Sequence, residues 1–202
     1  MGKRFRLGLY GGTFDPVHIG HLINARDALE QGVLDEVVWV PCAQSPHKLG
    51  ATVAPAADRL AMLRAAIKGV PKFRLSDTEI RRGAPSYAID TVREFRAAFP
   101  DADLFWLIGA DQLPKLRTWH RLPELRRMAK FLLLDRPAHG KPLARARLRQ
   151  LYGDVISLPR PRWLDISATE IRDRAAHGLP VAHLTPPAVA AHIARRSLYQ
   201  KD

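Results

Sequence analysis

Short apolar runs recur along the chain, and they constrain its fold more than any other feature. They are long enough for strands but do not alternate with polar residues, and the clearest lie at residues 5–10, 37–40, 104–108 and 131–134. Such runs are typical of parallel strands that are covered on both faces. Weaker strands are predicted at residues 72–75 and 155–158.

Segments with helical spacing lie between these runs. Helices are predicted at residues 20–31, 57–68, 87–99, 167–176 and 187–196, with Gly32 and Gly69 as C-terminal stops for the first two. Strands that alternate with helices form a parallel sheet with right-handed crossovers. The 202 residues therefore predict a single α/β domain with a Rossmann-like doubly wound sheet and a short helical C-terminal part at about residues 165–202.

Composition excludes several classes of protein. Cys42 is the one cysteine, so an intramolecular disulfide is impossible and a cysteine-based zinc site is disfavoured. No apolar run approaches the roughly 18 residues of a membrane span, and the first residues lack a secretory signal. We therefore expect a soluble, cytoplasmic protein that does not bind a membrane.

The net charge of +12 suggests an anionic partner. The densest basic stretches, residues 121–130 and 145–149, are interrupted by apolar residues at helical spacing, which is typical of solvated helix faces. A nucleic-acid-binding module remains an alternative. It is disfavoured because the chain has no RRM, KH or helix-turn-helix signature and no clustered aromatic and basic face.

The junction after the first strand has the sequence GLYGGTFDPVHIGHL, residues 8–22. Gly11 and Gly12 predict a sharp bend and a close backbone approach to a ligand, and the helix N-terminus that follows favours phosphate. His18 and His21 are three residues apart and could both donate to phosphate oxygens. The chain lacks the G-x-G-x-x-G and P-loop motifs, and no third ligand with a telling spacing supports zinc binding.

The junction after the last predicted strand, residues 165–173, has the sequence DISATEIRD. Ser167 and Glu170 form the pattern of a capping box and predict a helix start, which is a second site for anions. Thr169 adds a hydroxyl to the first turn, and Arg172 adds a guanidinium suited to phosphate oxygens. Taken alone, this pattern also fits an ordinary capped helix with an exposed arginine.

These two segments resemble the motifs of a known enzyme family. GGTFDPVHIGH resembles the signature of the HxGH nucleotidyltransferases, and ISATEIR resembles their ISSTxIR motif, with Ala168 in place of the second serine. The resemblance implies transfer of a nucleoside monophosphate from a nucleoside triphosphate. It implies ATP-binding positions at Gly11, Gly12, Thr13, Phe14, His18, His21, Gly109, Asp111, Ser167, Thr169 and Arg172.

Three further segments resemble bacterial nicotinate-nucleotide adenylyltransferases: PCAQSPHK with Ser45 in place of a proline, GAPSYAIDT with Ala88 in place of a threonine, and LIGADQLPKLRTWH. The resemblance, together with an arginine after the next strand, implies nicotinate mononucleotide (NaMN)-binding residues: Asp15, Lys48, Tyr87, Thr91, Trp119 and Arg136. Phosphopantetheine adenylyltransferases and alcohol-phosphate cytidylyltransferases share the first motif and remain alternatives.

Each NaMN-side residue type suits a particular contact. Trp119 offers a face for a pyridinium ring, and Tyr87 and Thr91 are four residues apart, on one helix face. Lys48 and Arg136 could neutralise the phosphate of the mononucleotide. Asp111 could hold a ribose hydroxyl or cap a helix.

The implied reaction is attack of the NaMN phosphate on the α-phosphate of ATP, with His18, Lys48 and Arg172 as catalytic residues. Mg²⁺ is expected on the ATP phosphates, with no protein metal ligands. No residue in the sequence indicates the strength of the preference for the acid over the amide mononucleotide. The sequence also leaves open whether the protein is a monomer or a homodimer.

Overall fold

The computed structural model describes residues 4–45, 54–134, 145–153, 155–160, 162 and 164–200. Six parallel strands form one sheet in the order β3-β2-β1-β4-β5-β6. Their bounds are β1 Arg6–Gly12, β2 Glu36–Pro41, β3 Phe73–Leu75, β4 Asp103–Ile108, β5 Lys130–Leu133 and β6 Val155–Ser157. The sequence prediction of a parallel α/β sheet is confirmed, including its two weaker strands.

Eight α-helices and a 3₁₀ helix at Ala110–Thr118 connect or follow these strands within the described residues. The helices are α1 Ile19–Glu30, α2 Ala56–Ile67, α3 Thr78–Arg82, α4 Ala88–Ala98, α5 Leu122–Met128, α6 Arg145–Tyr152, α7 Ala168–Ala176 and α8 Pro187–Arg195. The stops predicted at Gly32 and Gly69 are confirmed, since both have left-handed φ angles of +67° and +72°. The short α3 and the 3₁₀ helix were not predicted.

Helices cover both faces of the sheet, which makes it doubly wound. Buried side chains of α1, α2, α7 and α8 form one apolar cluster with β2 around Trp39. Buried side chains of α4, α5, α6 and the 3₁₀ helix form a second cluster around Trp106 of β4. The strands pack on both faces, and this explains their continuous apolar sequences.

The strand order places β1 between β2 and β4, so the chain winds in opposite directions on its two sides. In such sheets ligands bind beyond the carboxyl ends of the strands at the point where the order reverses. Here that point is the crevice beyond Gly12 and Ile108. None of the described helices is long and apolar enough to cross a bilayer.

Candidate active site

Gly11 and Gly12 are the last two residues of β1, and the reason for each glycine is internal packing. A Cβ at Gly11 would lie 2.3 Å from the Trp106 indole, and one at Gly12 would lie 3.0 Å from the Phe14 ring. The sharp bend predicted at the glycines instead follows them, because Phe14 has a left-handed φ of +49°. The sequence prediction placed this bend two residues too early.

His18 and His21 hold each other in place at the start of α1. His18 is the N-cap residue: its Nδ1 accepts from the backbone N–H of His21 at 3.3 Å, and Nδ1 of His21 accepts from the backbone N–H of His18 at 3.2 Å. The two rings stack with centroids 3.5 Å apart. Because each Nδ1 accepts a hydrogen bond, the proton of each neutral ring lies on Nε2.

Gly20 makes room for this arrangement. A Cβ at position 20 would lie 3.1 Å from Nδ1 of His18, whose side chain folds over the first turn of α1. The His-x-Gly-His spacing therefore has a steric cause: the glycine allows the first histidine to cap the helix and meet the second.

The C-terminal part of the chain fixes the start of α1. The hydroxyl of Thr185 donates to the carbonyl of Val17 at 2.7 Å, and the N–H of Ile19 donates to the carbonyl of Leu184 at 3.0 Å. These bonds satisfy backbone groups near a helix N-terminus that have no partner inside the helix. The C-terminal segment therefore fixes the predicted phosphate-binding turn at Val17 and at Ile19, the residues on either side of His18.

The junction at Ser167 lies against the first junction, as the two motifs require if they act on one ligand. The Ser167 hydroxyl accepts from the N–H of Glu170 at 3.1 Å and caps α7, which confirms the predicted helix start. Nη1 of Arg172 donates to the carbonyl of Asp15 at 2.8 Å, and Nη2 donates to Thr169 Oγ1 at 3.1 Å. A guanidinium has five N–H groups, so Arg172 retains further donors.

The Asp15 side chain is directed into the protein and is 3% exposed. Its Oδ1 accepts from the Tyr199 hydroxyl at 2.7 Å and from the N–H of Ala54 at 3.1 Å. Burial raises the pKa of Tyr199, and the neighbouring Asp15 carboxylate raises it further, so the hydroxyl remains a donor. Asp15 thus ties the loop after β1 to the C-terminal segment, and a direct contact with NaMN stays a prediction.

Arg59 on α2 is a site-building residue that sequence reasoning missed. Its side chain is 1% exposed and donates to four carbonyl oxygens. The acceptors are Thr13 at 2.9 Å, Cys42 at 2.8 Å, Ala43 at 3.0 Å and Ala54 at 3.0 Å. One guanidinium thereby joins the loops that follow β1 and β2. The sequence contained one signal of its burial. Arg59 lies three and four residues before the apolar residues Met62 and Leu63, a spacing that places all three on one face of the helix.

Gly109 and Asp111 follow β4 at the same edge of the sheet. Asp111 is exposed at the start of the 3₁₀ helix, and its Oδ2 accepts from Gln112 Nε2 at 2.8 Å. Its Oδ1 lies 2.5 Å from the place of a Cβ at position 109, so a side chain at Gly109 would displace the carboxylate. The N-cap residue is Gly109, and no side-chain cap bond is present there.

Tyr87 and Trp119 lie on the side of the crevice formed by α4 and the 3₁₀ helix. Tyr87 is the N-cap residue of α4, and its ring lies 4.5 Å from that of His120 between centroids. Trp119 ends the 3₁₀ helix and packs edge-on against Trp106 and Phe131. Trp119 Nε1 is buried and has no hydrogen-bond partner among the described residues.

The structure separates Thr91 from Tyr87. Thr91 is 0% exposed; its hydroxyl donates to Glu79 at 2.6 Å and accepts from Arg82 at 2.7 Å. The two residues therefore do not present a common open face, and Thr91 instead braces α3 against α4. Burial raises the pKa of Glu79, although the Thr91 hydroxyl bond opposes the rise.

The loop after β2 is tied to the segment before α4. Ser86 accepts at its hydroxyl from the N–H of Ala43 at 3.0 Å and donates its own N–H to the carbonyl of Gln44 at 3.1 Å. Lys48 and Arg136, predicted to contact the mononucleotide phosphate, lie outside the described residues.

In the part of the crevice that the structure describes, the converging groups are hydrogen-bond donors. Among the residues that the structure describes, no three His, Cys, Asp or Glu side chains lie together as a metal site. Two helix N-termini, two histidines and one arginine converge beyond β1. This arrangement suits a ligand with several phosphate groups.

Known proteins are similar in sequence to this chain over nearly its whole length. The model of the cytidylyltransferase-like family matches residues 9–174. A protein of Methylacidiphilum infernorum named "probable nicotinate-nucleotide adenylyltransferase" is 44% identical over 195 residues, 96% of this chain and 92% of that protein. A protein of Opitutus terrae with the same name is 43% identical over 195 residues, 96% and 98% of the two chains.

A solved structure extends the comparison to the fold. Plasmodium falciparum nicotinic acid mononucleotide adenylyltransferase, complexed with NaAD, matches with a TM-score of 0.79 at 19% identity, over 97% of this chain and 98% of that one. At this identity the match shows the fold alone, and the family follows from the full-length relatives. The chain belongs to the cytidylyltransferase-like family and, by its identity to these relatives, to the nicotinate-nucleotide adenylyltransferases.

Proposed function

We propose that this protein transfers the adenylyl group of ATP to NaMN, giving nicotinate adenine dinucleotide and pyrophosphate in NAD biosynthesis. The main support for this proposal is the contact between the two junctions that are predicted to bind phosphate. Nη1 of Arg172, in the second junction, donates a hydrogen bond to the carbonyl of Asp15, in the first, at 2.8 Å. Full-length identity to relatives of that name supports the choice of substrate.

The nucleophile needs no general base. A phosphate monoester has a second pKa of about 6, so the NaMN phosphate is mostly dianionic at neutral pH. One of its oxygens attacks the α-phosphorus of ATP, and the bond from that phosphorus to the bridging oxygen of the β-phosphate breaks. Pyrophosphate carries away the electron pair. Catalysis then depends on in-line positioning and on stabilising the charge that develops.

His18, His21 and Arg172 supply that stabilisation. Each histidine has its Nδ1 occupied by a backbone N–H, so Nε2–H is the group that donates to phosphate oxygens. Thr13, Phe14 and the glycines at 11 and 12 contribute the backbone of the turn, while Ser167 and Thr169 contribute the first turn of α7. Lys48 is proposed as a further catalytic residue, which adds a second cation to that of Arg172.

NaMN binding is assigned to the other side of the crevice. Trp119 and Tyr87 are the proposed contacts of the pyridine ring, and Arg136 and Lys48 those of the phosphate. Gly109 and Asp111 remain proposed ATP-binding residues, and Asp111 is the one proposed to hold a ribose hydroxyl.

Mg²⁺ fits this site as a partner of ATP. The described residues of the crevice provide N–H donors and lack a carboxylate cage, and Mg²⁺ commonly binds through substrate phosphates while keeping several waters. His18, His21 and Arg172 would hold the phosphates that carry the ion. When bound, Mg²⁺ neutralises part of the triphosphate charge.

The proposal is tested by measuring pyrophosphate release with Mg-ATP and one acceptor at a time: NaMN, nicotinamide mononucleotide, phosphopantetheine or none. Turnover mainly with NaMN is expected. Equal turnover with nicotinamide mononucleotide would contradict the proposed preference for the acid. Turnover only with phosphopantetheine would assign the chain to the phosphopantetheine adenylyltransferases instead. A cytoplasmic location and the oligomeric state stay predictions.

A further inference from the structure

A large cavity lies at the end of the sheet opposite the candidate active site. It opens where β4, β5 and β6 begin, near Asp103, Lys130 and Val155, and its volume is about 1130 Å³. Small-molecule sites commonly measure about 300–1,000 Å³. None of its described lining residues belongs to the site proposed for adenylyl transfer. We name this cavity the basic groove.

The basic groove has a strong excess of positive charge. Its cationic lining residues are Arg4, Arg96, Arg126, Arg127, Lys130 and Arg149. Asp103 is the one carboxylate among the described lining residues, and Arg4 and Lys130 already share it at 3.9 and 3.6 Å. Residues of both dense basic stretches, Arg126, Arg127 and Lys130 from the first and Arg149 from the second, therefore line one cavity. Sequence reasoning treated them as two separate solvated helix faces.

Backbone carbonyls hold two of these guanidinium groups without neutralising them. Arg96 donates to the carbonyls of Ala102 at 2.6 Å and Met128 at 2.8 Å, and Arg126 donates to that of Tyr152 at 2.8 Å. Each guanidinium keeps further N–H groups. Neither of these arginines forms an ion pair with any residue that the structure describes. Like charges held close together repel, and a multivalent anion removes that cost.

The floor of the basic groove is apolar. Leu104, Phe131 and Leu148 are buried there, and Met128 and Tyr152 are half-buried at its edge. The apolar surface that a ligand can reach is provided by the half-buried Met128 and Tyr152 and by the exposed Ile156. A concave groove with this apolar surface and fixed cations suits a small ligand that has an organic part and several phosphates. Single-stranded nucleic acid instead needs exposed aromatic platforms, and Phe131 is only 2% exposed.

We propose that the basic groove binds a nucleoside triphosphate at a site separate from the catalytic crevice. The proposal does not depend on the identity of the acceptor in the adenylyl transfer.

The test is a calorimetric titration of the full chain with ATP and with inorganic tripolyphosphate, at low and physiological salt. The variant Arg127→Glu with Arg149→Glu reverses two groove charges. The control variant, Arg64→Glu with Lys68→Glu, makes the same charge change at the C-terminal end of α2, outside the groove. Loss of one guanidinium contact to phosphate lowers affinity about tenfold, so the groove variant is expected to lose its second ATP site by about 100-fold or more.

The control variant should retain both sites, and the groove variant should keep its kcat for pyrophosphate release. ATP binding more tightly than tripolyphosphate would support the role of the apolar floor. A single ATP site in the wild-type protein would overturn the proposal, as would equal losses in the two variants. Groove-dependent binding of a short RNA more tightly than ATP would assign the surface to nucleic acid instead.

Discussion

Arg59 is the residue whose replacement most directly tests how the fold builds the site. The substitution Arg59→Met keeps much of the apolar stem but removes every donor. Four carbonyls then lose a partner: those of Ala54 and Cys42 in buried surroundings, and those of Thr13 and Ala43 in half-buried ones.

The size of the effect follows from those surroundings. A buried acceptor left without a partner costs about 1–3 kcal/mol, and a half-buried one costs less because water reaches it. Relief of the desolvation of the buried charge offsets part of the loss. We expect Arg59→Met to lower the free energy of unfolding by about 2–4 kcal/mol. Arg59→Lys, which keeps the charge but not the planar fork, should lose about half as much.

Activity should fall further than stability alone requires. Arg59 joins the loops after β1 and β2, and a displacement of about 1 Å at a site can cost about 100-fold in rate. The assays are urea unfolding followed by tryptophan fluorescence and kcat/KM for pyrophosphate release. We expect kcat/KM of Arg59→Met to fall about 100-fold under conditions in which the protein stays folded.

Arg64→Met on the same helix is the matched control, since Arg64 is exposed, and it should change stability by less than about 0.5 kcal/mol. A loss below about 1 kcal/mol in Arg59→Met would refute the hydrogen-bond reasoning. Destabilisation with kcat/KM unchanged would refute the claim that Arg59 positions the loops.

Three further predictions concern the helices around the crevice. His18→Ala should lower kcat about 100-fold by removing one phosphate donor, and a kcat near that of the wild type would exclude this role. Gly20→Ala should lower kcat about tenfold because the new Cβ pushes on the His18 ring. Urea unfolding should show no loss of stability, since alanine favours the helix. An unchanged kcat would contradict the steric explanation. Because burial raises the pKa of Glu79, wild-type stability should fall as pH rises from the ordinary carboxyl pKa through the raised one. Glu79→Gln should flatten that part of the curve in urea unfolding across pH, and superimposable curves would refute it.

The sheet could be predicted from the sequence because the patterns that mark strands and helix ends are local. Continuous apolar runs mark strands covered on both faces, and glycines such as Gly32 mark helix ends, so each element can be read without knowing its neighbours. The α3 helix was missed because its five residues are too few for a periodic pattern. The nine-residue 3₁₀ helix was missed because its period is three residues, not 3.6, and because it contains Pro114.

The site was predictable only where a motif fixed it. His18, His21, Ser167 and Arg172 stand in motifs, and the structure brings them to one crevice. Arg59 was missed because a lone arginine in a helix normally faces solvent, and its burial depends on carbonyls from two distant loops. The burial of Thr91 likewise depends on Glu79, and its spacing from Tyr87 carried no information about that partner.

The basic groove could not be predicted from the sequence either. Each basic stretch alone fits a solvated helix face, and only the strand order reveals that both reach the same edge of the sheet. Charge that is separated in sequence becomes concentrated when parallel strands align their amino ends.

The central claim is that the NaMN phosphate attacks the α-phosphorus of ATP. Its most direct test uses ATP labelled at the α-phosphorus, with NaMN and Mg²⁺, and follows the label into the products. We predict that the label appears in the dinucleotide and that pyrophosphate is unlabelled and formed in equal amount. Label recovered in AMP without dinucleotide, or in a product of a different acceptor only, would contradict it.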